Sequence, residues 1–194
     1  LLISDTGNNR LQRVQPDGTW VQSIGSAGSG PGQFSNPRGT TQAADGTLFV
    51  TDTGNARIVH LAADGSYLDA FGTAGSTPGQ FSTPYAVRVM RNGHLLVADT
   101  NNDRLQIFTP TGEFVDSISH AEDPLVPNFL EPSAAVEAPD GSIIATDAAH
   151  NRIVRLYYDD VPPTANAALV AVPGGVRLTA SATDSGAGID ATTY

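Results

Sequence analysis

The sequence contains no cysteine and no lysine, so all 10 of its basic residues are arginines. The first absence excludes disulfides and thiolate metal sites, and the second excludes Schiff-base chemistry on a lysine. No apolar run approaches the roughly 20 residues that a membrane-spanning helix needs. The net charge of −10 repels phosphate backbones, which disfavours a nucleic-acid partner.

What the sequence does contain is a recurring hexapeptide, which we call the hexapeptide motif. The first copy reads Asp-Thr-Gly-Asn-Asn-Arg, and the copies begin at Asp5, Asp52, Asp99 and Asp147. Successive copies are 47, 47 and 48 residues apart. A fixed period of this length indicates one supersecondary unit copied several times.

Each unit is predicted to be a set of short antiparallel strands, because Asp-Gly and Asn-Gly pairs favour tight hairpins between them. In the second unit the predicted strands are residues 37–43, 47–51, 57–61 and 66–71. In the third they are residues 86–90, 94–98, 104–108 and 113–118. The fourth gives residues 133–138, 142–146 and 152–157, and the first gives residues 10–14 and 19–24.

Several middle strands are apolar at successive positions, for example residues 48–50 and 95–97. This pattern is typical of sheets that are buried on both faces. Sheets stacked around an axis meet that requirement, so the predicted fold class is all-β, an incomplete β-propeller with four-stranded antiparallel blades. We expect roughly three and a half blades, with the remaining ones in a longer protein.

The repeating unit resembles the NHL repeat. The resemblance covers residues 1 to 158 and includes the Gly-Gln-Phe element at residues 32–34 and 79–81. The fourth unit departs from the pattern, since its motif has lost the glycine. The resemblance implies a six-bladed ring that different relatives use to bind protein, RNA or glycan, and in some cases for catalysis. It fixes the architecture better than the activity.

The domain boundaries predicted from these patterns are a propeller part at residues 1–158, a linker at 159–163 and a second domain at 164–194. The last segment has cleaner alternation and resembles the first two strands of a bacterial immunoglobulin-like domain, as a partial β-sandwich. Such modules occur along secreted and surface proteins, so we expect an extracellular or cell-surface location.

The ends of the hexapeptide motif are interpreted as structural ion pairs across the turn. The motif's Asp can accept backbone N–H bonds, its Gly or Asn can adopt a positive φ, and its Arg begins the next strand. The pairs are Asp5 with Arg10, Asp52 with Arg57, Asp99 with Arg104 and Asp147 with Arg152.

Two groups of residues are the candidates for ligand binding. Arg38, Tyr85 and Arg88 lie on predicted inner strands, where the central channel opens. Asn55, Asn102 and His150 lie in the motif loops, which are predicted to line one rim of the ring and suit peptide or sugar ligands.

The sequence predicts no metal and no cofactor. Residues 99–110 begin like a calcium loop but place Arg104 and Pro110 where glycine and glutamate are required. The four histidines, His60, His94, His120 and His150, do not fall on inner strands. The glycine-rich residues 25–32 are interpreted as a spacer, and the acidic residues 184–190 as an interstrand loop.

These observations lead to a predicted non-catalytic binding or adhesion scaffold that holds a protein or glycan on the propeller rim. The alternative is a propeller enzyme, a metal-assisted lyase or a lactonase, with its catalytic residues in blades outside this sequence. RNA binding is disfavoured by the charge.

Overall fold

The computed structural model of the chain describes residues 1–119, 128–157, 164–172 and 175–183. The chain divides into two compact units, Leu1–Leu156 and Tyr157–Tyr194. Predictions that concern His120, the linker at residues 159–163 and the acidic residues 184–190 lie outside the described residues.

Four antiparallel sheets follow one another in the first unit, and the strands of each sheet lie in chain order. The first sheet contains β1 (Leu2–Asp5), β2 (Arg10–Val14) and β3 (Trp20–Ile24). The second contains β6 (Pro37–Gln42), β7 (Leu48–Asp52), β8 (Arg57–Leu61) and β9 (Tyr67–Phe71). The third contains β12 (Pro84–Val89), β13 (Leu95–Asp99), β14 (Arg104–Phe108) and β15 (Phe114–Ile118). The fourth contains β16 (Ala135–Glu137), β17 (Ser142–Asp147) and β18 (Arg152–Tyr157).

Short parallel strand pairs lie between the sheets, where the sequence shows the Gly-Gln-Phe element. They are β4 (Ser26–Ala27) with β5 (Gln33–Phe34), and β10 (Thr73–Ala74) with β11 (Gln80–Phe81). The Phe34 ring lies where a side chain on Gly25 would stand, since an added Cβ there would be 2.3 Å from the ring. The interpretation of residues 25–32 as a spacer was therefore wrong. Ser26–Ala27 pair with Gln33–Phe34, and the Phe34 ring packs against Gly25.

The predicted strands are confirmed, and most bounds agree to within one residue. The largest differences are at the first strands of the third and fourth sheets. β12 begins at Pro84 rather than at residue 86, because the chain enters the sheet before an irregularity between Pro84 and Ala86. β16 covers only Ala135–Glu137 of the predicted residues 133–138.

The second sheet is buried on both faces, as its apolar middle strand predicted. Leu48 and Val50 of β7 pack with Leu11 and Phe34 on the side of the first sheet. Phe49, between them, packs in the cluster shared with the third sheet. Successive side chains of a strand point to opposite faces, so an unbroken apolar run serves two cores at once.

The first strands of the sheets contact one another in succession: β1 with β6, β6 with β12, and β12 with β16. The contact between β6 and β12 is close, because a Cβ added to Gly39 would stand 2.7 Å from the Ala86 Cα. Sheets whose first strands converge in this way are arranged as blades around an axis. The predicted incomplete propeller is confirmed.

A second repeated contact joins each of the first three hexapeptide motifs to the sheet that follows it. The hydroxyl of the motif's threonine donates to the carbonyl oxygen of a proline at or just before the next sheet. The three bonds are Thr6 to Pro37 (2.7 Å), Thr53 to Pro84 (2.6 Å) and Thr100 to Pro132 (2.8 Å).

In the second unit, β19 (Thr164–Val172) and β20 (Gly175–Thr183) form an antiparallel hairpin. Two strands were predicted in this segment, and the immunoglobulin-like domain to which they were assigned stays a prediction. The part of the chain that the structure describes contains no helix long and apolar enough to cross a membrane.

Candidate functional site

The hexapeptide motif folds as a single tight turn in the second sheet. β7 ends at Asp52, Thr53–Asn55 form one turn of 3-10 helix, and Ala56 adopts a left-handed conformation (φ 51°) before β8 begins. The fifth residue of every copy is left-handed: Asn9, Ala56, Asp103 and Asn151.

The prediction that a Gly or Asn of the motif adopts the positive φ holds for Asn9 and Asn151, whereas Ala56 and Asp103 take this conformation in the second and third copies. Gly54 does not have a positive φ, and the left-handed residue is Ala56, two positions later. Glycine is required at position 54 for space, since an added Cβ would stand 2.3 Å from the Ser35 Oγ and 2.9 Å from the Ser35 carbonyl oxygen.

The carboxylate of Asp52 is fully buried and holds the turn together. Its Oδ1 accepts a bond from the Ser35 N–H (2.6 Å). Its Oδ2 accepts from the Asn55 amide (2.8 Å) and from the Arg57 Nε (2.8 Å). These charge-assisted bonds replace the water that the carboxylate loses on burial.

Arg57 extends this network to the glycine-rich loop that precedes the sheet. Its Nη1 donates to the Ser29 carbonyl (2.8 Å), and its Nη2 donates to the carbonyls of Gly30 (3.2 Å) and Gln33 (2.9 Å). A planar guanidinium can satisfy several acceptors at once in this way. Arg57 therefore fixes a loop that has few apolar side chains of its own.

The same arrangement recurs in the third sheet. Asp99 accepts from the Ser82 N–H (2.7 Å) and the Arg104 Nε (2.9 Å), and Arg104 Nη2 donates to the carbonyls of Thr77 and Gln80 (both 2.9 Å). An additional bond comes from the Gln106 amide to Asp99 (3.0 Å).

In the fourth sheet a histidine replaces the asparagine. Asp147 Oδ2 lies 3.0 Å from His150 Nδ1 and 2.6 Å from Arg152 Nε, and its Oδ1 accepts from the Leu130 N–H at 2.8 Å. Burial alone would raise the pKa of Asp147, but the bonds from Leu130, Arg152 and His150 outweigh it and lower this pKa below its usual range.

The first sheet shows the motif in a more open setting. Asp5 Oδ2 lies 2.9 Å from Arg10 Nε, and the two side chains are 25% and 40% exposed, compared with 0% and 16% for Asp52 and Arg57. Hydrogen bonds from Arg10 and Asn8 lower the pKa of Asp5.

The predicted rim residues Asn55 and Asn102 make their amide bonds inside the protein. Asn55 Nδ2 donates to the Gly28 carbonyl (2.8 Å) as well as to Asp52, so both of its amide hydrogens are used. Asn102 Nδ2 donates in the same way to the Gly75 carbonyl (2.8 Å) and to Asp99. Their positions in the motif predicted the loop but not these partners.

The predicted inner-strand residues are brought together where β6 meets β12. The Arg38 guanidinium carbon lies 4.0 Å from the centre of the Tyr85 ring, a cation–π contact between the two sheets. Arg88 Nη1 donates to the Thr40 carbonyl across the same junction and to the Val87 carbonyl (both 2.9 Å). We refer to these three residues as the Arg38–Tyr85–Arg88 cluster.

Arg38 and Tyr85 each lie at an irregularity in the pairing of their strand, β6 and β12 respectively. The pairing of β6 shifts between Pro37 and Thr40, and that of β12 shifts between Pro84 and Ala86. Thr51, which is fully buried, holds both: its Oγ1 accepts from the Gly39 N–H (2.7 Å) and donates to the Tyr85 carbonyl (3.2 Å). The sequence analysis did not identify Thr51, although its position just before the motif is a usable signal.

Arg38 differs from most arginines of the chain because it has no carboxylate partner. Six arginines with described side chains pair with an aspartate or glutamate: Arg10, Arg57, Arg91, Arg104, Arg152 and Arg155. Within the described residues, Arg38 makes its ring contact with Tyr85 and no hydrogen bond or ion pair. The site therefore offers an exposed, positioned guanidinium.

The described histidines do not form a metal centre. Among the residues searched in the described part of the chain, no group of three histidine, aspartate or glutamate side chains could hold a metal ion. His60 lies on β8 and its ring stacks on Phe49 with the centroids 4.4 Å apart. The positive charge of the Arg38–Tyr85–Arg88 cluster therefore comes from its two guanidinium groups.

Two segments of the chain, residues 34–61 and 81–108, match the NHL repeat. The fold is an incomplete β-propeller. Among curated protein sequences no significant match is found.

Solved structures of propellers resemble the chain in fold at low sequence identity. A catalytically inactive virginiamycin B lyase from Staphylococcus aureus has a TM-score of 0.57 at 16% identity, over 94% of this chain and 58% of that one. A gluconolactonase from Xanthomonas campestris has a TM-score of 0.52 at 19% identity, over 81% of this chain and 61% of that one. An auxiliary nutrient binding protein from Bacteroides thetaiotaomicron has a TM-score of 0.58 at 11% identity, over 76% and 42%.

The chain thus spans less than two thirds of the length of these propellers. Identities of this size show a shared fold and leave the activity to be argued from the residues of the site.

Proposed function

We propose that this incomplete propeller is a non-catalytic binding or adhesion scaffold of a secreted or cell-surface protein. Its ligand is a protein or a glycan held on the propeller rim and at the central junction of the sheets. The contact residues are Arg38, Tyr85 and Arg88. Asn55 and Asn102 hold the loops before their sheets, and His150 holds Asp147 within its own turn.

The observation that carries this proposal is the contact between Arg38 and Tyr85. A guanidinium stacked on a ring at 4.0 Å, with its hydrogen-bond donors unused by described residues, is positioned for an external partner. Arginine and tyrosine are also the residue types that contribute most often to the strongest contacts of binding surfaces.

The rigidity of the surrounding loops supports the same function. Arg57 and Arg104 bind the carbonyls of the loops before the second and third sheets, so these loops are ordered before any ligand arrives. Binding to a preorganised surface avoids the entropic cost of ordering it. The terminal hairpin is consistent with a start of an immunoglobulin-like module, which would suit a surface protein.

A propeller enzyme is the second candidate, favoured by the structural likeness to a lyase and to a gluconolactonase. Under this alternative, the catalytic groups are in blades outside this sequence. A metal-assisted lyase or a lactonase would then use this arc of sheets as support and not as the reacting site.

The two candidates can be separated with the full-length protein. We expect ligand capture on a glycan array or in a pull-down, lost in Arg38→Gln and retained in Arg13→Gln, which removes the same charge elsewhere. Turnover of a lactone or of virginiamycin B, with no ligand captured, would instead establish the enzyme and contradict the scaffold.

A further inference from the structure

We propose that the Arg38–Tyr85–Arg88 cluster binds a single carboxylate group, carried by a sugar acid or by the end of a peptide. This inference rests on the proposed binding function and names the chemistry of its ligand. It is argued from the free donors of the cluster, the fixed backbone beneath it and the distribution of charge in the chain.

The stacking of Arg38 on Tyr85 leaves the hydrogen-bonding capacity of the guanidinium intact. The Arg38 guanidinium carbon lies 4.0 Å from the centre of the Tyr85 ring, and its N–H groups make no hydrogen bond to described residues. Two parallel N–H groups match the two oxygens of a carboxylate. The Tyr85 ring therefore orients Arg38 without consuming its donors.

Arg88 contributes a second guanidinium at the same junction. Its Nη1 is held by the Thr40 and Val87 carbonyls, while its Nη2 and Nε make no hydrogen bond to described residues. Neither Arg38 nor Arg88 is paired with a carboxylate of the described residues. Two unneutralised guanidiniums on adjoining strands attract an anion.

The backbone beneath the cluster is fixed in conformations that carry a cost. Asn36 and Thr83, which lead into β6 and β12, are both left-handed, with φ of 50° and 61°. This conformation is unusual for a residue with a β-branched side chain such as threonine. The same conformation recurs at Glu131 before Pro132, so it belongs to the repeat, and it sets the direction of the strands that carry Arg38 and Tyr85.

The net charge of the chain selects the kind of anion. At −10, the chain repels polyanions over long distances, which disfavours nucleic acids and highly sulfated polymers. A ligand with one carboxylate is repelled least and can still form charge-assisted bonds with two guanidiniums. The expected ligand is a singly charged carboxylate on an otherwise neutral molecule.

The test uses the full-length protein and saturation-transfer difference NMR titrations with four probes. Sodium galacturonate and N-acetyl-Ala-Ala carry the carboxylate on a sugar and on a peptide end, respectively. Galacturonate methyl ester is the neutral control, and inorganic phosphate, which has no carbon-bound protons, is tested by its ability to displace the carboxylate probe. The protein variants are Arg38→Gln, Arg38→Lys and the charge-matched control Arg13→Gln.

We expect at least one carboxylate probe to bind more tightly than the methyl ester and than phosphate, and the probe that binds identifies the source of the group. Arg38→Gln should weaken this binding by about tenfold or more, because charge-assisted hydrogen bonds are lost. Arg38→Lys should weaken it less, since it keeps the charge but not the planar fork. Arg13→Gln should leave it within about twofold, and thermal unfolding should be nearly the same for all variants, since Arg38 is exposed.

The inference is overturned if neither carboxylate binds, if the ester or phosphate binds as tightly, or if Arg38→Gln and Arg13→Gln have equal effects. If the full-length protein still captures a ligand by the array or pull-down while these titrations fail, the scaffold function stands and only the carboxylate site is lost. If it captures none and turns over a substrate, the scaffold function fails as well.

Discussion

The first and second sheets carry hexapeptide motifs that are identical at five of six positions, yet the two motifs make different contacts. In the second sheet, Asp52 is fully buried and Arg57 binds three loop carbonyls in addition to the aspartate. In the first sheet, Asp5 and Arg10 remain partly exposed and bind mainly each other and side chains of their own sheet. The partners in the second sheet come from the segment that precedes it, residues 29–35, so the contacts of the motif depend on that segment as well as on the motif itself.

The largest test of this comparison is to remove the aspartate in each sheet. Asp52→Ala leaves the Ser35 N–H, the Asn55 amide and the Arg57 guanidinium without their acceptor. We expect a loss of about 3–5 kcal/mol in the free energy of unfolding, because a buried charge is left uncompensated. Asp5→Ala should cost much less. Urea unfolding of both variants measures the difference, and equal losses would refute the role of the loop.

A second test uses the motif's glycine. Gly54→Ala should destabilise the protein by about 1–3 kcal/mol, because the added methyl overlaps Ser35. Gly7→Ala is the matched control, since an added Cβ meets nothing within 4 Å and φ is not positive. Thermal unfolding is the measurement. A Gly7→Ala variant as unstable as Gly54→Ala would mean that conformation, and not space, selects this glycine.

The residue before the motif gives a third matched pair. Thr51→Val removes the acceptor of the Gly39 N–H and should cost about 1–3 kcal/mol by leaving that group unsatisfied. In the first sheet the buried Ser4 Oγ has no hydrogen-bond partner among the described residues, so Ser4→Ala should be neutral or stabilising. The unfolding midpoints of the two variants test this difference in stability. A marked loss of stability in Ser4→Ala would contradict it.

The smallest expected effect extends the comparison to the fourth sheet through pH. The folded pKa of Asp147 is lowered below that of the unfolded chain, so its stabilisation is present above about pH 4 and is lost as the pH falls through the folded pKa. The unfolding midpoint should therefore fall less between pH 7 and pH 3 in Asp147→Asn than in the unchanged protein. An identical fall in both would show that other groups account for the acid sensitivity.

The sequence was sufficient to predict the strands because their signals are local and repeated. The turn pairs and the apolar runs at residues 48–50 and 95–97 placed the sheets to within one or two residues. The reason for glycine at position 54 was not predicted, since crowding by Ser35 depends on a segment almost 20 residues away. The loop contacts of Arg57 were missed for the same reason, because the spacing of residues does not encode the path of a loop.

For the candidate site, the sequence identified Arg38, Tyr85 and Arg88 from their places on inner strands. It did not show that Arg38 and Tyr85 stack, because this depends on the irregular pairing of β6 and β12. Nor did it indicate that the side-chain amides of Asn55 and Asn102 donate hydrogen bonds to loop carbonyls. Residue type and position can nominate such groups, whereas only the packed structure shows which donors remain free.

The threonine bonds to the next sheet have a consequence for how the molecule unfolds. Thr6, Thr53 and Thr100 each link a motif forward, while Arg57 and Arg104 link their motifs backward. Opening one blade therefore breaks bonds in both of its neighbours, so the blades should melt together and not singly. At the fourth motif the threonine is replaced by Ala148. This residue has no hydroxyl, so it cannot couple its blade to a following one in the same way.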